Sequence, residues 1–172
     1  IKDPLNGHII LMNSMPCTLG CTWQTVNGGR KCMDDPEVYA RYLDLQAQHQ
    51  ETFDKLMSSL ESLIKDLKKV GGSYVHEWGA RNKLWHNERI MNLVRKLGLT
   101  RTYFDGCALG LRARNGRYIR KPWVLCSDIP QIDGRFSKAR CRCKPGTHAR
   151  CKGADAADSA YYTWKMTDWL HT

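Results

Sequence analysis

The sequence predicts one α/β domain, in which helices pack against a sheet of about four strands. Apolar runs typical of buried strands alternate along the chain with segments whose apolar residues recur every three or four positions. No internal repeat or low-complexity segment interrupts this order. The 172 residues are enough for one domain with a hydrophobic core and too few for two of ordinary size.

A strand and a long helix are predicted in the first half of the chain. Residues 8–14, HIILMNS, form a continuous apolar run, which is typical of a strand covered on both faces. The helix is predicted to begin with Asp34 as its N-cap and Pro36 in its first turn. It is predicted to end at the glycine pair Gly71-Gly72, because glycine readily adopts the left-handed conformation that closes a helix.

An apolar stripe is predicted along this helix. Its members recur at alternating steps of four and three from Val38 to Val70, and His49 is the one polar interruption. The full set is Val38, Tyr42, Leu45, His49, Phe53, Leu56, Leu60, Leu63, Leu67 and Val70. Such a stripe predicts one of two partners, namely the sheet of the same chain or the helix of a second chain.

Three strands and two helices are predicted in the second half of the chain. The strands cover residues 73–79, 100–111 and 117–128, and the helices cover residues 84–97 and 158–170. The dipeptide Asn115-Gly116 lies between the last two strands and is a strong signal for a hairpin turn. We therefore expect these two strands to be neighbours in the sheet.

The chain is strongly basic. It has 27 Lys and Arg residues against 17 Asp and Glu residues, a net charge of +10. The basic residues become denser after position 111, which favours a basic surface over an even spread of charge. We therefore expect nucleic acid or another polyanion as a partner, and a charge that serves only solubility is the alternative.

The predicted location is intracellular, either cytoplasmic or nuclear. No stretch approaches the roughly 20 apolar residues that a membrane helix needs, and the N-terminus does not resemble a secretory signal. An even number of cysteines, eight, permits four disulfides, but a cluster of metal-binding residues favours reduced thiols. The first residue is Ile1 rather than Met, which indicates a processed product or an excised part of a longer protein.

A Cys/His group near the C-terminus predicts a zinc site. Its members are Cys141, Cys143, His148 and Cys151, in the segment CRCKPGTHARC. Three thiolates and one imidazole form a tetrahedral zinc set, and Pro145-Gly146 supplies the turn between ligand pairs. A disulfide-bonded loop or free thiols are the alternatives, and Cys126 is a possible replacement for one ligand. Residues 139–172 are therefore predicted to form a metal-binding, zinc-knuckle-like loop followed by a helix.

Basic residues close to this loop are predicted to contact nucleic acid. Lysine and arginine beside a small zinc knuckle suit contacts with phosphates. The predicted contact residues are Arg117, Arg120, Lys121, Arg140, Lys144 and Arg150.

A second polar cluster is predicted at one edge of the sheet. Cys17 follows the first strand, Glu77 lies near the end of the second, and an Arg-rich segment surrounds the last hairpin. Ligands of open α/β sheets bind beyond the carboxyl ends of the strands, so these sets are expected to meet. For Cys17 and Cys21 three roles remain open, namely metal ligands, a reactive cysteine at position 17, or ordinary buried cysteines.

These residues resemble the active-site motifs of the DNA cytosine-5 methyltransferases. The Pro16-Cys17-Thr18 segment resembles that family's Pro-Cys motif, whose cysteine attacks the pyrimidine ring. Glu77, in the segment HEW, resembles the family's glutamate, which binds the ring nitrogen and assists the attack. The candidates for the arginines that steady the target base are Arg112 and Arg114, with Arg117 and Arg120 as alternatives.

The methyltransferase resemblance implies a partial Rossmann-like sheet over residues 1–138, equivalent to the second half of that family's fold. It implies S-adenosylmethionine as a cofactor only if upstream sequence supplies the cofactor-binding half, because the chain contains no Gly-rich cofactor loop. The spacing from Cys17 to Glu77 is longer than the family usually shows, and Trp78 replaces the family's asparagine.

A second resemblance spans nearly the whole chain. The segments PCT, HEW, FDGCALGL and IRKPW, followed by a Cys/His cluster, resemble an uncharacterised domain of retroelement polyproteins in microbial eukaryotes. This resemblance is in keeping with the basic charge and supplies no mechanism.

Two functions are therefore predicted. The first is a nucleic-acid-binding, methyltransferase-like module that is inactive without the cofactor half. The second is a non-enzymatic, zinc-stabilised nucleic-acid-binding or assembly domain of a retroelement or viral polyprotein. The bare edge of the first strand and the apolar stripe also predict a homodimer, or a complex with an upstream polyprotein segment.

Overall fold

A four-stranded mixed sheet forms the centre of the protein. The computed structural model describes residues 7–22, 24, 28 and 34–171. The strands are β1 (Ile10–Asn13), β2 (Ser73–Gly79), β3 (Thr100–Asp105) and β4 (Pro122–Ser127). Their order across the sheet is β1-β2-β4-β3, with helices packed around it. The predicted α/β class with four strands is therefore confirmed.

The helices alternate with the strands and then follow them. Their bounds are α1 (Pro36–Lys69), α2 (Glu88–Leu97), α3 (Pro130–Phe136), α4 (Ala154–Asp158) and α5 (Trp164–His171). Short 3-10 helices lie at Thr18–Gly20, Lys83–His86 and Gly106–Leu109. Among the helices of the described residues, none has both the length and the apolar character needed to cross a membrane.

The strand directions do not confirm a Rossmann-like topology. The pair β1–β2 is parallel, whereas β2–β4 and β4–β3 are antiparallel. A Rossmann sheet is mostly parallel, because a helical crossover joins each strand to the next. Here α1 provides such a crossover between β1 and β2, but β4 returns through a hairpin-like segment and inserts between β2 and β3.

Several predicted bounds change because local hydrogen bonds compete with regular structure. The helix predicted at 84–97 becomes a 3-10 turn and then α2, because the Asn87 side chain caps the first turn by accepting from Arg89 N. The strand predicted to begin at residue 117 begins at Pro122. Before it, the chain makes one isolated antiparallel bridge, between Arg112 and Tyr118.

The N-cap of α1 is Asp35, one residue after the predicted Asp34. The Asp35 Oδ1 atom accepts from the backbone N–H groups of Glu37 and Val38, at 3.0 and 3.2 Å. A helix starts with unpaired N–H groups, and a short carboxylate in extended conformation reaches them. At the other end, Gly71 has φ 73°, which explains the glycine at the predicted C-terminal end.

The α1 helix buries only its second half. Its buried residues are Phe53, Met57, Leu60, Ile64 and Leu67. From the predicted stripe, the exposed members are Val38, Leu45, Leu63 and Val70. The buried face is therefore turned slightly from the predicted stripe, so that Met57 and Ile64 take the places expected for Leu56 and Leu63.

Both faces of the sheet carry a hydrophobic cluster, because side chains alternate along each strand. On the α1 face, Tyr74 and Trp78 of β2 pack with the buried residues of α1 and with Trp85. On the opposite face, Phe104 and Trp123 pack with the C-terminal segment. The contributions of that segment include Phe136, Ala139 and Met166. The C-terminal segment therefore shares a hydrophobic cluster with the strands.

Candidate metal centre and basic surface

Four metal-binding side chains converge beyond the end of β3. They are Cys107, Cys141, Cys143 and His148, and their ligand atoms all lie within 4.8 Å of one another. Cys141 Sγ and His148 Nε2 lie 3.4 Å apart. Cys107 is buried and the other three side chains are partly buried, so the group lies just beneath the surface.

The turn that presents Cys107 depends on close packing at Gly106. A Cβ atom at this position would lie 2.8 Å from the Leu111 side chain and 2.9 Å from that of Trp123. Glycine is therefore required where β3 gives way to the 3-10 helix that carries Cys107. Residues 106–109 were predicted as part of a strand and form a 3-10 helix instead.

Asp105 orients the loop that carries the next two cysteines. Its side chain is almost completely buried, and its Oδ2 atom accepts from the backbone N–H of Cys141 at 2.9 Å. Its other oxygen accepts from Arg120 Nε at 3.2 Å, and Arg140 Nε lies 3.8 Å from Oδ2. Asp105 thus joins the end of β3 to residues 141–148, the candidate metal-binding loop, a role that the sequence did not indicate.

Arg117 holds the second part of the loop. Its guanidinium donates to the backbone carbonyls of Gly146, Thr147 and His148, at 3.1 to 3.2 Å. Gly146 has φ 77°, so the turn between Cys143 and His148 uses the left-handed conformation that glycine favours. The predicted Pro-Gly turn is therefore formed, and Arg117 fixes the backbone on either side of it.

The predicted ligand set differs from the observed group in one member. Cys107 lies with Cys141, Cys143 and His148, whereas the Cys151 sulfur contacts the Ser159 hydroxyl at 3.4 Å. Local spacing could not reveal Cys107, because it lies far upstream in the sequence and reaches the loop only through the fold. Cys126, the replacement considered from sequence, is buried in the cluster on the α1 face of the sheet.

The thiols of the group differ in their acidity. Burial and the neighbouring Cys141 and Cys143 sulfurs raise the pKa of Cys107, since a second negative charge nearby is unfavourable. A backbone N–H of Cys143 lowers the pKa of Cys141, and the Cys107 and Cys143 thiols and the Arg120 charge act in the same direction. A cation bound among these sulfurs would favour the thiolate form of each.

The donor set fits zinc better than a harder cation. Three sulfurs and one imidazole are the soft and borderline ligands that zinc binds in closed structural sites. Zinc–sulfur bonds of about 2.3 Å and zinc–nitrogen bonds of about 2.0 Å separate tetrahedral S and N ligands by about 3.5 Å. The 3.4 Å between Cys141 Sγ and His148 Nε2 is close to that value.

Several basic side chains around the metal-binding loop are exposed and have no partner among the described residues. They are Lys138, Arg142, Lys144, Arg150 and Lys152. The sequence analysis named Lys144 and Arg150. The other predicted contact residues are engaged within the protein, since Arg117 binds loop carbonyls and Lys121 Nζ donates to the Ser159 carbonyl at 2.7 Å. Arg120 and Arg140 flank Asp105.

A cleft of about 510 Å³ lies against the metal-binding loop. Arg117, Arg150 and Lys152 contribute positive charge to its lining, and His148 lines it as well. Asp155 is the acidic residue of the lining, and its Oδ1 atom accepts from the backbone N–H of Arg114. The cleft therefore joins the Cys/His group to the basic surface.

The predicted catalytic residues Cys17 and Glu77 lie near each other, outside the Cys/His group. Glu77 is buried, and its Oε2 atom accepts from the hydroxyls of Ser14 and Tyr162, each at 2.9 Å. Burial raises the pKa of Glu77, and the two hydroxyls and Lys121 oppose this rise. Cys17 is close enough for its thiol and Glu77 to influence each other electrostatically.

The environment of Cys17 does not activate its thiol. Cys17 is exposed as a residue, but partial burial of its sulfur raises the pKa of the thiol, and the charges of Cys21 and Glu77 raise it further, against a smaller lowering by Lys121. A reactive cysteine needs the opposite shift, because the thiolate is the nucleophile. The cation near the pair is Lys121, which the sequence analysis assigned to nucleic-acid binding.

The predicted catalytic arginines have other partners. Arg112 stacks on the Tyr118 ring with its guanidinium carbon 3.9 Å from the ring centre, and donates to the Gly116 carbonyl. Arg114 forms an ion pair with Asp158, with Nε at 2.7 Å. Both arginines therefore stabilise the segment between β3 and β4 and its contact with α4.

Comparison of the chain with protein-family models, with curated proteins and with solved structures found no match. The function of these two sites must therefore be argued from their own residues.

Proposed function

We propose that the protein is a non-enzymatic nucleic-acid-binding domain whose basic surface is held in place by one zinc ion. The observation that carries this proposal is the group of Cys107, Cys141, Cys143 and His148, beside exposed cations that have no partner among the described residues. The zinc ion would be bound by these four side chains. Its role would be structural, since a set of four protein ligands leaves no open position for chemistry.

The arrangement of charges supports contact with phosphates. Arg150 and Lys152 line the cleft beside His148 without a described partner, whereas Arg117 in the same cleft is anchored to backbone carbonyls. A phosphate oxygen in the cleft would gain contacts with these cations. Binding through phosphates depends on backbone charge and carries little base specificity.

The methyltransferase-like function stays a prediction with less support. The pKa of Cys17 is raised, and Arg112 and Arg114 are paired with Tyr118 and Asp158. The non-enzymatic function requires none of these residues to act on a base.

Metal analysis tests the first part of the proposal. We expect purified chain to contain about one zinc per molecule and Cys107→Ser to lose it, because removal of one of four ligands weakens a structural site strongly. Cys151→Ser is the matched control, and it should keep the metal. Full zinc retention by Cys107→Ser, with loss in Cys151→Ser, would contradict the ligand set.

The salt dependence of binding tests the second part. A labelled single-stranded oligonucleotide should bind with an affinity that falls steeply as salt rises, because bound phosphates release counterions. Arg150→Ala with Lys152→Ala should reduce the slope of log affinity against log salt by about 1.4, because each lost phosphate contact on a single strand changes it by about 0.7. Arg95→Ala with Lys96→Ala, exposed cations on α2, is the control and should leave the slope unchanged. No binding at low salt would refute the proposal.

A further inference from the structure

The α1 helix carries a row of exposed apolar side chains. Val38, Leu45, Leu63 and the C-cap residue Val70 are 37, 45, 56 and 56% exposed. The first two are seven residues apart, as are the last two, and 18 residues separate Leu45 from Leu63. Seven residues are about two helical turns and 18 are five, so the four side chains share one face of α1. We name this row the exposed stripe.

The exposed stripe is separate from the buried face of α1. At about 100° per residue, its centre lies about 80° around the helix from the centre of the row that runs from Phe53 to Leu67. Of the described residues of α1, none before Phe53 is buried. Val38 and Leu45 are therefore exposed on a part of the helix where, among the described residues, no side chain of α1 is buried.

The exposed stripe is symmetric about its middle. Position 54 is halfway between Val38 and Val70, and it is also halfway between Leu45 and Leu63. A second α1 laid antiparallel across the first, with its centre at the same position, would place each Leu45 against a Leu63 and each Val38 against a Val70. The two contacts would be repeated identically, as a two-fold axis requires.

The charges of α1 favour the antiparallel arrangement. Residues 36–54 contain four acidic residues and one basic residue, whereas residues 55–69 contain four basic and two acidic. Two antiparallel copies bring each acidic half against a basic half, and two parallel copies would bring like charges together. Glu37 and Lys69 lie on the same flank of the exposed stripe, so each would approach the other residue of the second copy.

We infer that the protein is a homodimer in which the α1 helices of two copies pair antiparallel through the exposed stripe. The two-fold axis would cross the helix pair at the level of position 54. The occupant of the stripe is a second copy, because the symmetric spacing and the complementary halves fit the helix to itself. This inference is independent of nucleic-acid binding. A dimer through the edge of β1, which also exposes Ile9 and Ile10, is a different arrangement that the experiments distinguish.

The oligomeric state of the full chain is the first test. Analytical ultracentrifugation from micromolar to near-millimolar concentration should give twice the 19.8 kDa chain mass. Leu45→Glu with Leu63→Glu should weaken association at least about 100-fold, because it places charge in the apolar contact at both ends. The matched control is Leu43→Glu, since Leu43 is 49% exposed but lies about 160° around the helix from Leu45. It should remain dimeric.

The pairing register is the second test. Glu37→Lys and Lys69→Glu should each weaken the dimer by about threefold to tenfold, and the double variant should recover wild-type affinity. A photo-crosslinking phenylalanine at position 45 should join the peptide that contains Leu63 of the other copy. These surface changes leave the buried residues intact, so they report on pairing even if the glutamate pair impairs folding.

Three results would overturn the inference. They are a monomer over the whole concentration range, a Leu43→Glu variant as impaired as the double glutamate variant, and a crosslink from position 45 to any segment other than that around Leu63. A crosslink to residues 8–13 would instead identify the β1 edge as the interface.

Discussion

Glu77 shows how a single buried carboxyl couples the stability of the protein to pH. Its Oε2 atom receives two hydroxyl hydrogen bonds, one from each end of the described chain, yet burial still raises its pKa. The folded protein therefore holds this proton more tightly than the unfolded chain, in which a glutamate has a pKa of about 4.3. The contribution of Glu77 to the free energy of unfolding is therefore fully present below about pH 4.3, where the carboxyl is neutral in both states. It is lost as the pH rises through the pKa of the folded state.

Replacement of Glu77 by glutamine should reverse this loss. Glu77→Gln keeps an oxygen acceptor for Ser14 and Tyr162 but has no charge to bury, so we expect a higher free energy of unfolding at pH 7.5. The gain should be about 1.4 kcal/mol for each unit by which the fold raises the pKa. Urea unfolding at pH 4 and pH 7.5 measures the free energy of unfolding of both proteins. It should depend less on pH in Glu77→Gln than in the wild type. Glu88 is exposed, so Glu88→Gln serves as the control. An equal gain in the free energy of unfolding in that variant would show that burial of Glu77 is not the cause.

His76 is a second buried titratable residue, and its effect has the opposite sign. Burial lowers its pKa to about 3, and its ring lies between Tyr74 and the edges of Trp78 and Trp85. Because the folded pKa lies below the unfolded value of about 6.5, its contribution to stability is present above that pH and is lost as the pH falls. The contributions of Glu77 and His76 to stability therefore change in opposite directions as the pH rises.

At the scale of elements, the N-terminus of α1 depends on one carboxylate. Asp35→Ala removes the acceptor for two backbone N–H groups and should cost about 0.5–2 kcal/mol of helix stability. Asp34→Ala, one residue earlier, should cost far less. Thermal unfolding followed by circular dichroism at the helical band compares the two variants. Equal losses would show that the general negative charge, rather than the cap geometry, stabilises the helix start.

Elements with strong local signals were predicted well. The strand β2 has the predicted bounds, and α1 ends before the predicted glycine, because an apolar run and a left-handed glycine are local properties. The segment after β3 was predicted as strand, but the packing of Gly106 against Trp123 turns it into a 3-10 helix. Such a contact joins distant residues, so no window of sequence contains it.

At the scale of the whole molecule, the metal-binding group joins parts of the chain that the sequence analysis assigned to separate units. Cys107 comes from the strand region, and the other three ligands come from the loop after α3. Spacing predicted a Cys/His group that includes Cys141, Cys143 and His148, because these three lie within eight positions. The fourth could not be predicted, since it depends on the antiparallel order of β3 and β4. The same order is why the Rossmann-like topology was not confirmed.

If the Cys/His group holds the proposed zinc ion, its removal should affect the whole protein. A chelator present during thermal unfolding should lower the Tm of metal-loaded protein by about 5–10 °C, because occupancy at 100 times Kd stabilises by about 2.7 kcal/mol. Cys107→Ser should be insensitive to the chelator, whereas Cys151→Ser should respond as the wild type does. A wild-type Tm that does not change on removal of bound zinc would contradict a structural role.

The parallel pairing of β1 with β2 has a consequence for the order of folding. Asn13 and His76 are paired although 63 positions separate them, whereas Asp105 and Pro122 of β3 and β4 are 17 positions apart. Closing the longer loop costs about 1 kcal/mol more chain entropy. We expect β2, β3 and β4 to assemble first and β1 to join last, after α1 has formed and shortened the distance between its ends. On unfolding, β1 would then be the first strand to detach.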